Sequence, residues 1–259
     1  MRFIKTKSLL GGAGIGTLGG LIGLGGAEFR LPFLVGVLRI DTLHAIIINL
    51  LISLVTVSFA LIFRGVDERV IAEIPIVLNL LAGTLLGAWM GANYASRINK
   101  ARLQNLIFIL LVFLSFVLLS HVFFAFEQGL DLGMWLQVLL GFVLGIGIGM
   151  ISSLLGVAGG ELLIPVIVLL YGVDIKLAGT LSLAISFPTL LIGIYKYHKN
   201  RRLQEVYVFK DILVFMAIGS IIGAFVGSLL VGIVSSVMLE VGLGVILLIS
   251  AYKIFKKDR

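Results

Sequence analysis

The stretch Gly23-Leu-Gly-Gly-Ala-Glu-Phe-Arg-Leu-Pro32 aligns with Gly156-Val-Ala-Gly-Gly-Glu-Leu-Leu-Ile-Pro165, in which two glycines, the glutamate and the proline stand at the same positions. Glycine-rich apolar stretches match by chance easily, but a glutamate and a proline in register with the glycines do not. The sequence therefore predicts a duplication, with a first repeat over residues 1–131 and a second over residues 132–259 of a single domain. The register continues on both sides, at Gly12/Gly145, Gly14/Gly147, Gly16/Gly149, Asp41/Asp174, Ala45/Ala178 and Thr56/Thr189.

The composition is that of a membrane protein. Of 259 residues, 60% are hydrophobic and 13% are charged, and the mean hydropathy is +1.19. Apolar runs of about 20 residues recur along the whole chain, and each is long enough to cross ~30 Å of hydrocarbon. The runs are continuous and do not alternate as barrel strands would. We therefore predict an all-α integral membrane protein in contact with membrane lipids.

The basic residues indicate topology rather than a nucleic-acid partner. The formal net charge is +7, but the lysines and arginines are concentrated in short loops and at the chain ends. Residues 2–7, 97–102, 196–210 and 253–259 carry the excess, which the positive-inside rule assigns to the cytoplasm. We expect a multi-pass protein of the cell (inner) membrane with both termini cytoplasmic, and no nucleic-acid partner.

This orientation predicts single spans near residues 43–63, 71–95 and 105–126, and again near 177–196, 208–231 and 237–254. Residues 8–39 and 133–172 must then begin and end on the same side, as hairpins that enter from opposite faces. Their second arms, 27–39 and 160–171, are short, about 18 Å of helix at 1.5 Å per residue. The prediction is two inverted-topology repeats, each a broken-helix hairpin plus three transmembrane helices, or about ten helical segments. Secondary transporters commonly have this architecture.

The paired glycine-rich segments, each followed by a proline and placed one in each half of the chain, carry a family resemblance. The sequence resembles the TauE/SafE family of sulfite-exporter-like membrane transporters over essentially its whole length. The resemblance implies export or exchange of a small anion such as sulfite, an organosulfonate or another sulfur-containing acid. Glu28 and Glu161 stand where that family more often has a hydrophobic residue.

Two features predict the solute site. The hairpin glycines free backbone amides at a helix N-terminus, where anions bind, although glycine also permits close helix packing. Asn49, Ser53 and Thr56 share one helix face, as do their repeat mates, so they predict a cavity lining or, alternatively, interhelical hydrogen bonds. Arg30, whose mate is Leu163, is expected to pair with a glutamate of the other repeat or to hold the anion directly. The predicted substrate contacts are Gly25, Gly26, Ala27, Arg30, Asn49, Ser53, Gly159, Gly160, Ser182 and Ser186.

Glu28 and Glu161 follow the hairpin glycines directly. A carboxylate in the first turn can cap its own helix. A charge at membrane depth is costly, however, and burial favours the protonated acid, so both residues are predicted to couple transport to protons. The glycines at Gly83, Gly87 and Gly91, and their mates at Gly219, Gly223 and Gly227, are predicted to be helix-packing seams.

The sequence thus predicts a secondary transporter that exports a small anion by alternating access, with proton coupling through the glutamates. A cation/proton exchanger that uses Glu28 and Glu161 is an alternative. A membrane-embedded enzyme with these two residues as general acid and base is another, but no nucleophile, phosphate loop or metal-ligand spacing supports it. We expect no catalytic residue, no cofactor and no metal site. Assembly into a homo-oligomer stays open.

Overall fold

The computed structural model describes residues 2–65, 67–94, 108–109, 112, 115–116, 119, 132–155, 159–199 and 202–257. The basic turn at 97–102 and Asp131, the end of the predicted first repeat, lie outside these residues. The predicted span near 105–126 is described only at isolated positions. The described part of the chain is helical and contains no strand. The division into repeats at residues 131 and 132 stays a prediction.

The structure describes five complete helices in the first half. They are α1 (Arg2–Ile22), α2 (Ala27–Pro32), α3 (Thr42–Arg64), α4 (Glu68–Ala72) and α5 (Ile74–Tyr94). A π-helical turn over Phe33–Val37 extends α2, so the second arm of the first hairpin covers nearly the length that the sequence predicts. Asp67 caps α4, because its side chain accepts a hydrogen bond of 3.0 Å from the backbone N–H of Val70.

The second half repeats this order. It contains α6 (Met134–Leu155), α7 (Gly160–Tyr171), α8 (Ile175–Lys199), a 3₁₀ segment (Arg202–Phe209), α9 (Lys210–Leu230) and α10 (Ser236–Lys257). Five helices of the described residues are long and apolar enough to cross a membrane, namely α3, α5, α6, α8 and α9. The prediction of an all-α integral membrane protein is confirmed.

Each half begins with a helical hairpin. In the first, Gly23, Gly25 and Gly26 adopt positive φ, a conformation that suits glycine, and the Phe33 ring returns to lie against Gly11. In the second, the Gln137 side chain near the start of α6 donates a 3.2 Å hydrogen bond to the carbonyl of Leu170 near the end of α7. The short arms predicted at 27–39 and 160–171 therefore both fold back along their long partners.

The two hairpins enter from opposite ends of the molecule. At one end, which we call the inner end from the charge rule, Lys5 of α1 pairs with Asp211 of α9 at 3.2 Å. At the other, the outer end, Arg64 of α3 donates to the carbonyl of Lys176 at the start of α8. The first hairpin opens at the inner end with α1, and the second opens at the outer end, where Tyr171 precedes α8. Which end faces the cytoplasm stays a prediction.

Glycine seams hold each long hairpin helix against a helix of the other half. Gly16 lies against the backbone of Ser220, and Gly87 lies against that of Ile146, so that a β-carbon at either glycine would collide with main chain. The predicted packing seams are therefore confirmed, and they join α1 to α9 and α5 to α6. The glycines of these seams are Gly12, Gly16, Gly20, Gly83, Gly87, Gly91, Gly145, Gly149, Gly219, Gly223 and Gly227.

The centre of the molecule is formed by α3, α7 and α8. Almost every side chain of α7 is buried, including Leu163 and Pro165. The peripheral helices instead expose large apolar side chains, such as Trp89 of α5 and Trp135 of α6, as expected for surfaces that face lipid. Both hairpin tips therefore end inside this central layer, where the site described next is found.

Candidate functional site

A buried arginine at the tip of the first hairpin organises the site. The Arg30 side chain has no exposed surface. Its Nη1 donates to Ser53 Oγ at 2.8 Å and, more weakly, to Asn49 Oδ1 at 3.4 Å. Its Nη2 donates to Thr56 Oγ1 at 2.9 Å and to the carbonyl of Gly25 at 3.2 Å. Asn49, Ser53 and Thr56, the polar face that the sequence predicts on α3 and that we call the polar stripe of this half, thus bind the arginine of the same half.

The local sequence explains this arrangement. Gly26 takes φ 73°, which turns the chain and starts α2 within the central layer, so Arg30 is carried there on its first turn. Asn49 is held in place because its Nδ2 donates to the carbonyl of Ala27 at 3.1 Å. The Thr56 hydroxyl donates to the carbonyl of Ile52 at 2.8 Å, which leaves its oxygen lone pairs directed at the guanidinium.

The charge of this arginine is not matched by an ion pair. All four of its described hydrogen-bond acceptors are neutral, and Arg30 forms no ion pair with a carboxylate among the described residues. Its Nε has no described hydrogen-bond partner. Pairing with a glutamate of the other repeat, one of the two expectations for Arg30, is therefore not observed in the described part of the chain. A buried cation whose described hydrogen-bond acceptors are all neutral favours the binding of an anion.

Glu28 lies two residues before this arginine and interacts with it electrostatically. Both of its carboxylate oxygens are buried, and the carboxylate interacts with the backbone N–H of its own residue but accepts no hydrogen bond from another described residue. Whether Glu28 caps its own helix or carries a proton stays a prediction. Glu161 occupies the matching place on α7, where it is half-buried and interacts with neighbouring groups.

The predicted residues of the second half form a different environment. Gly159 takes φ 78° before α7, as Gly26 does before α2. Gly160 lies so close to Leu24 that a β-carbon would be 2.8 Å from the Leu24 Cα, so the two hairpin tips touch. Ser182 and Ser186 are buried on α8, and the Ser182 hydroxyl has no described hydrogen-bond partner. Gly25, Ala27, Arg30, Asn49 and Ser53 thus form one cluster, which Ser182 does not join.

Comparison with protein families places the chain. The model of the family described as sulfite exporter TauE/SafE matches residues 2–119 and 140–259. The chain belongs to the TauE/SafE family. The match covers both halves and confirms the resemblance, and the family is one of membrane transporters of sulfur anions. No curated protein and no solved structure matches the chain.

A second arginine of this TauE/SafE chain, half-buried and bonded to other helices, was not found by sequence reasoning. Arg64, at the end of α3, donates from Nε to the carbonyl of Gly20 at 2.9 Å and from Nη2 to that of Leu21 at 2.7 Å. Its Nη1 donates to the carbonyl of Lys176 and to the Thr180 hydroxyl, at 3.1 and 3.0 Å. An arginine at the end of an apolar span resembles an ordinary topology anchor, so its sequence position gave no signal.

The Arg30 cluster has the chemistry of an oxyanion site. A guanidinium presents planar donors that match two oxygens of one anion, and the stripe hydroxyls can donate once they turn. The buried state of Arg30 means that the cluster is closed to solvent in this conformation. Among the described residues, no group of three His, Asp or Glu side chains is placed to hold a metal ion.

Proposed function

We propose that this chain is a secondary transporter that exports a small sulfur oxyanion, such as sulfite or an organosulfonate, by alternating access. The observation that carries the proposal is the buried Arg30 guanidinium, bonded only to neutral acceptors among the described residues, at the tip of a broken helix. Broken helices near the midplane are where secondary transporters of this architecture bind their solutes. The family supports the substrate class.

Binding at this cluster would exchange neutral acceptors for charged ones. Ser53 and Thr56 now accept from the two Nη atoms of Arg30. An oxyanion in their place would form charge-assisted hydrogen bonds, which are about twice as strong as neutral ones. The displaced hydroxyls would then be free to donate to the remaining anion oxygens. Gly25, Gly26 and Ala27 would supply the backbone at the rim of this site.

Alternating access would be a rearrangement of the two hairpin tips. Leu24 of the first tip lies against Gly160 of the second, and Gly23 lies against Gly179 of α8. In this proposal these contacts separate the inner from the outer end, and the solute pathway would open where they part. Ser182 and Ser186 would line that pathway on α8. An inside-negative membrane potential favours export of negative charge. The driving force is about 2.3 kcal/mol per 100 mV for each net negative charge that leaves the cell.

Glu28 would decide whether a proton accompanies the anion. Its ionised carboxylate would repel an anion at Arg30, and protonation removes this repulsion. Its buried oxygens accept no hydrogen bond from another described residue that would stabilise the ionised form. Proton and anion binding would therefore favour each other at this tip. We propose that Glu161 contributes to the coupling as well, with a smaller effect because its tip has no arginine.

A cation/proton exchanger is the second candidate. The buried carboxylate of Glu28 favours it, since such a group can bind a cation. The Arg30 guanidinium opposes it, because a second positive charge beside the same carboxylate would repel an entering cation. Anion transport accounts for both charged groups, and cation transport accounts for only one of them.

Reconstituted transport separates the two candidates. The purified protein in liposomes is offered radioactive sulfite, an organosulfonate or Ca²⁺, with protein-free liposomes as the control. We expect saturable movement of sulfite or the sulfonate and none of Ca²⁺ above the control. Movement of Ca²⁺ coupled to protons, with no movement of either anion, would contradict the proposal and favour the exchanger.

We also propose that both termini are cytoplasmic in the inner membrane. Asp41 and Asp174 are repeat mates, exposed at the inner and outer ends respectively. The chain has no native cysteine, so single Asp41→Cys and Asp174→Cys variants are clean probes. We expect an impermeant thiol reagent to label Asp174→Cys in intact cells and Asp41→Cys only in inverted vesicles. Labelling of both from one face would disprove the inverted arrangement.

A further inference from the structure

A cavity of about 520 Å³ lies at the outer end, apart from the Arg30 cluster. The end of α3, the start of α8 and the residues after α9 form its wall. One water occupies about 30 Å³ of liquid, so the cavity has room for a small oxyanion with part of its hydration shell. Its wall carries the cations Arg64, Arg69 and Lys176 and the acids Asp67 and Asp174.

The acids of this wall already have partners. Asp67 accepts hydrogen bonds from the backbone N–H of Val70 and from Arg69, with which it also forms an ion pair at 3.0 Å. Asp174 accepts from the backbone N–H of Lys176 at 2.9 Å and from the Ser236 hydroxyl at 2.8 Å. Neither carboxylate is therefore directed at the remaining cations of the cavity.

Two cations of the wall are left without a counter-ion. Arg64 and the ammonium of Lys176 form no ion pair with a carboxylate of the described residues. All four described acceptors of Arg64 are neutral, three of them main-chain carbonyls and the fourth the Thr180 hydroxyl. The cavity thus combines room, an excess of positive charge and a half-buried guanidinium with only neutral partners, which together favour an anion.

The position of Arg64 relates it to the Arg30 cluster. Arg64 binds the carbonyls of Gly20 and Leu21, which are among the unpaired carbonyls at the C-terminal end of α1. Arg30 binds the carbonyl of Gly25, a few residues further along the same turn. The tip of the first hairpin is therefore held between two guanidinium groups. An anion that moves from the Arg30 cluster to the outer cavity would pass from one to the other.

We propose that this cavity is a second anion site of the transporter, in which Arg64 and Lys176 bind the oxyanion on its way between the Arg30 cluster and the outside. The proposal rests on the proposed function for the class of anion. The bound anion competes with the carbonyls of Gly20 and Leu21 for Arg64. Occupation of the outer site therefore loosens the hold of Arg64 on the tip of the first hairpin, which is the part that must move.

Equilibrium binding of radioactive sulfite to the purified protein in nanodiscs tests this site. Arg30→Leu removes the guanidinium of the Arg30 cluster, and Leu is the residue that the second half has at the matching position. We expect two sulfite ions per wild-type chain, one per Arg30→Leu chain, and none when Arg64→Gln is added. Lys176→Gln, combined with Arg30→Leu, should weaken the remaining site about tenfold, as loss of one charged hydrogen-bond donor does.

The variants are chosen so that folding does not decide the result. The ammonium of Lys176 makes no described hydrogen bond, so Lys176→Gln removes charge without disturbing the packing. Lys199→Gln, an exposed lysine at the inner end, is the matched control and should leave binding unchanged. A single wild-type site that Arg30→Leu abolishes would overturn the second site alone. Residual binding in Arg30→Leu that neither Arg64→Gln nor Lys176→Gln reduces would also overturn it, whereas a wild type that neither binds nor transports sulfite would overturn the proposed function.

Discussion

The two hairpins start their short helices in the same way but have different centres. Gly26 and Gly159 adopt the same left-handed conformation at matching positions, and each starts a short helix that carries a glutamate on its first turn. The next polar position differs, because Arg30 in the first hairpin corresponds to Leu163 in the second. Both side chains are buried, one as a cation and the other in the hydrophobic core.

The matching polar stripes differ in the same way. In the first half, Ser53 and Thr56 accept hydrogen bonds from the arginine. In the second half, Thr189 shares a 3.2 Å hydrogen bond with Thr84 of α5, and the Ser182 hydroxyl has no described partner. The same spacing of polar residues therefore serves a charged centre in one half and interhelical contacts in the other.

This difference teaches that duplication and chemistry are set by different residues. The glycines and prolines that recur in both halves determine where each tip lies in the fold. The residue that does not recur, Arg30, determines which tip carries charge. If the two halves are repeats, as the sequence predicts, the positions at which they differ are those at which to look for the solute. The predictions below change one half toward the other, beginning with the largest expected effect.

The first prediction converts the centre of the first hairpin into that of the second. Arg30→Leu should abolish sulfite transport, a loss of about 100-fold or more, because the charge-assisted bonds to the anion disappear. The fold should survive, since Leu163 is accommodated at the matching position. Flux from proteoliposomes and the elution profile of the purified protein measure the two effects.

Arg30→Lys, which keeps the charge but not the planar fork, should retain part of the flux. Normal transport by Arg30→Leu would remove this residue from the mechanism.

The second prediction compares the two glutamates. Glu28→Gln keeps the size of the side chain but cannot titrate, so a pH gradient imposed at zero membrane potential should no longer drive sulfite accumulation. Exchange of internal for external sulfite should continue, because the arginine is intact. Glu161→Gln lies in the half without the arginine, and we expect it to reduce gradient-driven accumulation only several-fold. Accumulation that persists at the wild-type rate in both variants would show that neither residue carries protons.

Much of the fold follows from the sequence because apolar length and glycine position are strong local constraints. The span predicted at 43–63 becomes Thr42–Arg64, and the short arm predicted at 160–171 becomes Gly160–Tyr171. The length and hydrophobicity of each apolar run determine these bounds, largely without reference to neighbouring helices. The seam glycines are predictable for the same reason, because close helix contact in a membrane requires small residues.

The partners within the site are harder to predict, because they depend on how separate helices meet. The spacing of Asn49, Ser53 and Thr56 defines a polar face, but nothing in it indicates that Arg30 of another helix turns toward that face. Arg64 is the stronger example. Its four acceptors come from α1 and α8, which are remote from it in sequence, so only the folded structure brings them together.

The third prediction tests the glycines that start the two short helices. An alanine in the left-handed region costs about 1–2 kcal/mol at either site. At Gly26 the new β-carbon would also lie 2.8 Å from the Ile15 carbonyl oxygen, whereas at Gly159 the closest atom is the Ser152 hydroxyl at 2.7 Å, which can rotate away. Gly26→Ala should therefore lower the thermal unfolding midpoint in detergent more than Gly159→Ala does.

Gly14→Ala, whose β-carbon would meet no atom within 4 Å, is the control and should be neutral or stabilising. Equal losses at Gly26 and Gly159 would show that the backbone conformation alone sets the cost.

The smallest difference between the two halves is expected from the last pair of the stripes, Thr56 and Thr189. Thr56→Val keeps the shape of the side chain but leaves Nη2 of Arg30 with the Gly25 carbonyl as its remaining described acceptor, which should cost about 1–3 kcal/mol. Thr189→Val removes the bond to Thr84, whose hydroxyl still donates to the carbonyl of Leu81 at 3.1 Å, so the loss should be only about 0.5–1.5 kcal/mol. Unfolding of the two variants in detergent measures this difference.

Sulfite affinity should separate them further, because only Thr56 contacts the arginine that we expect to hold the anion, and a several-fold change should appear in Thr56→Val alone. If Thr189→Val weakens sulfite binding as much as Thr56→Val does, the second stripe takes part in the site, and the contrast between the two halves is smaller than Arg30 and Leu163 indicate.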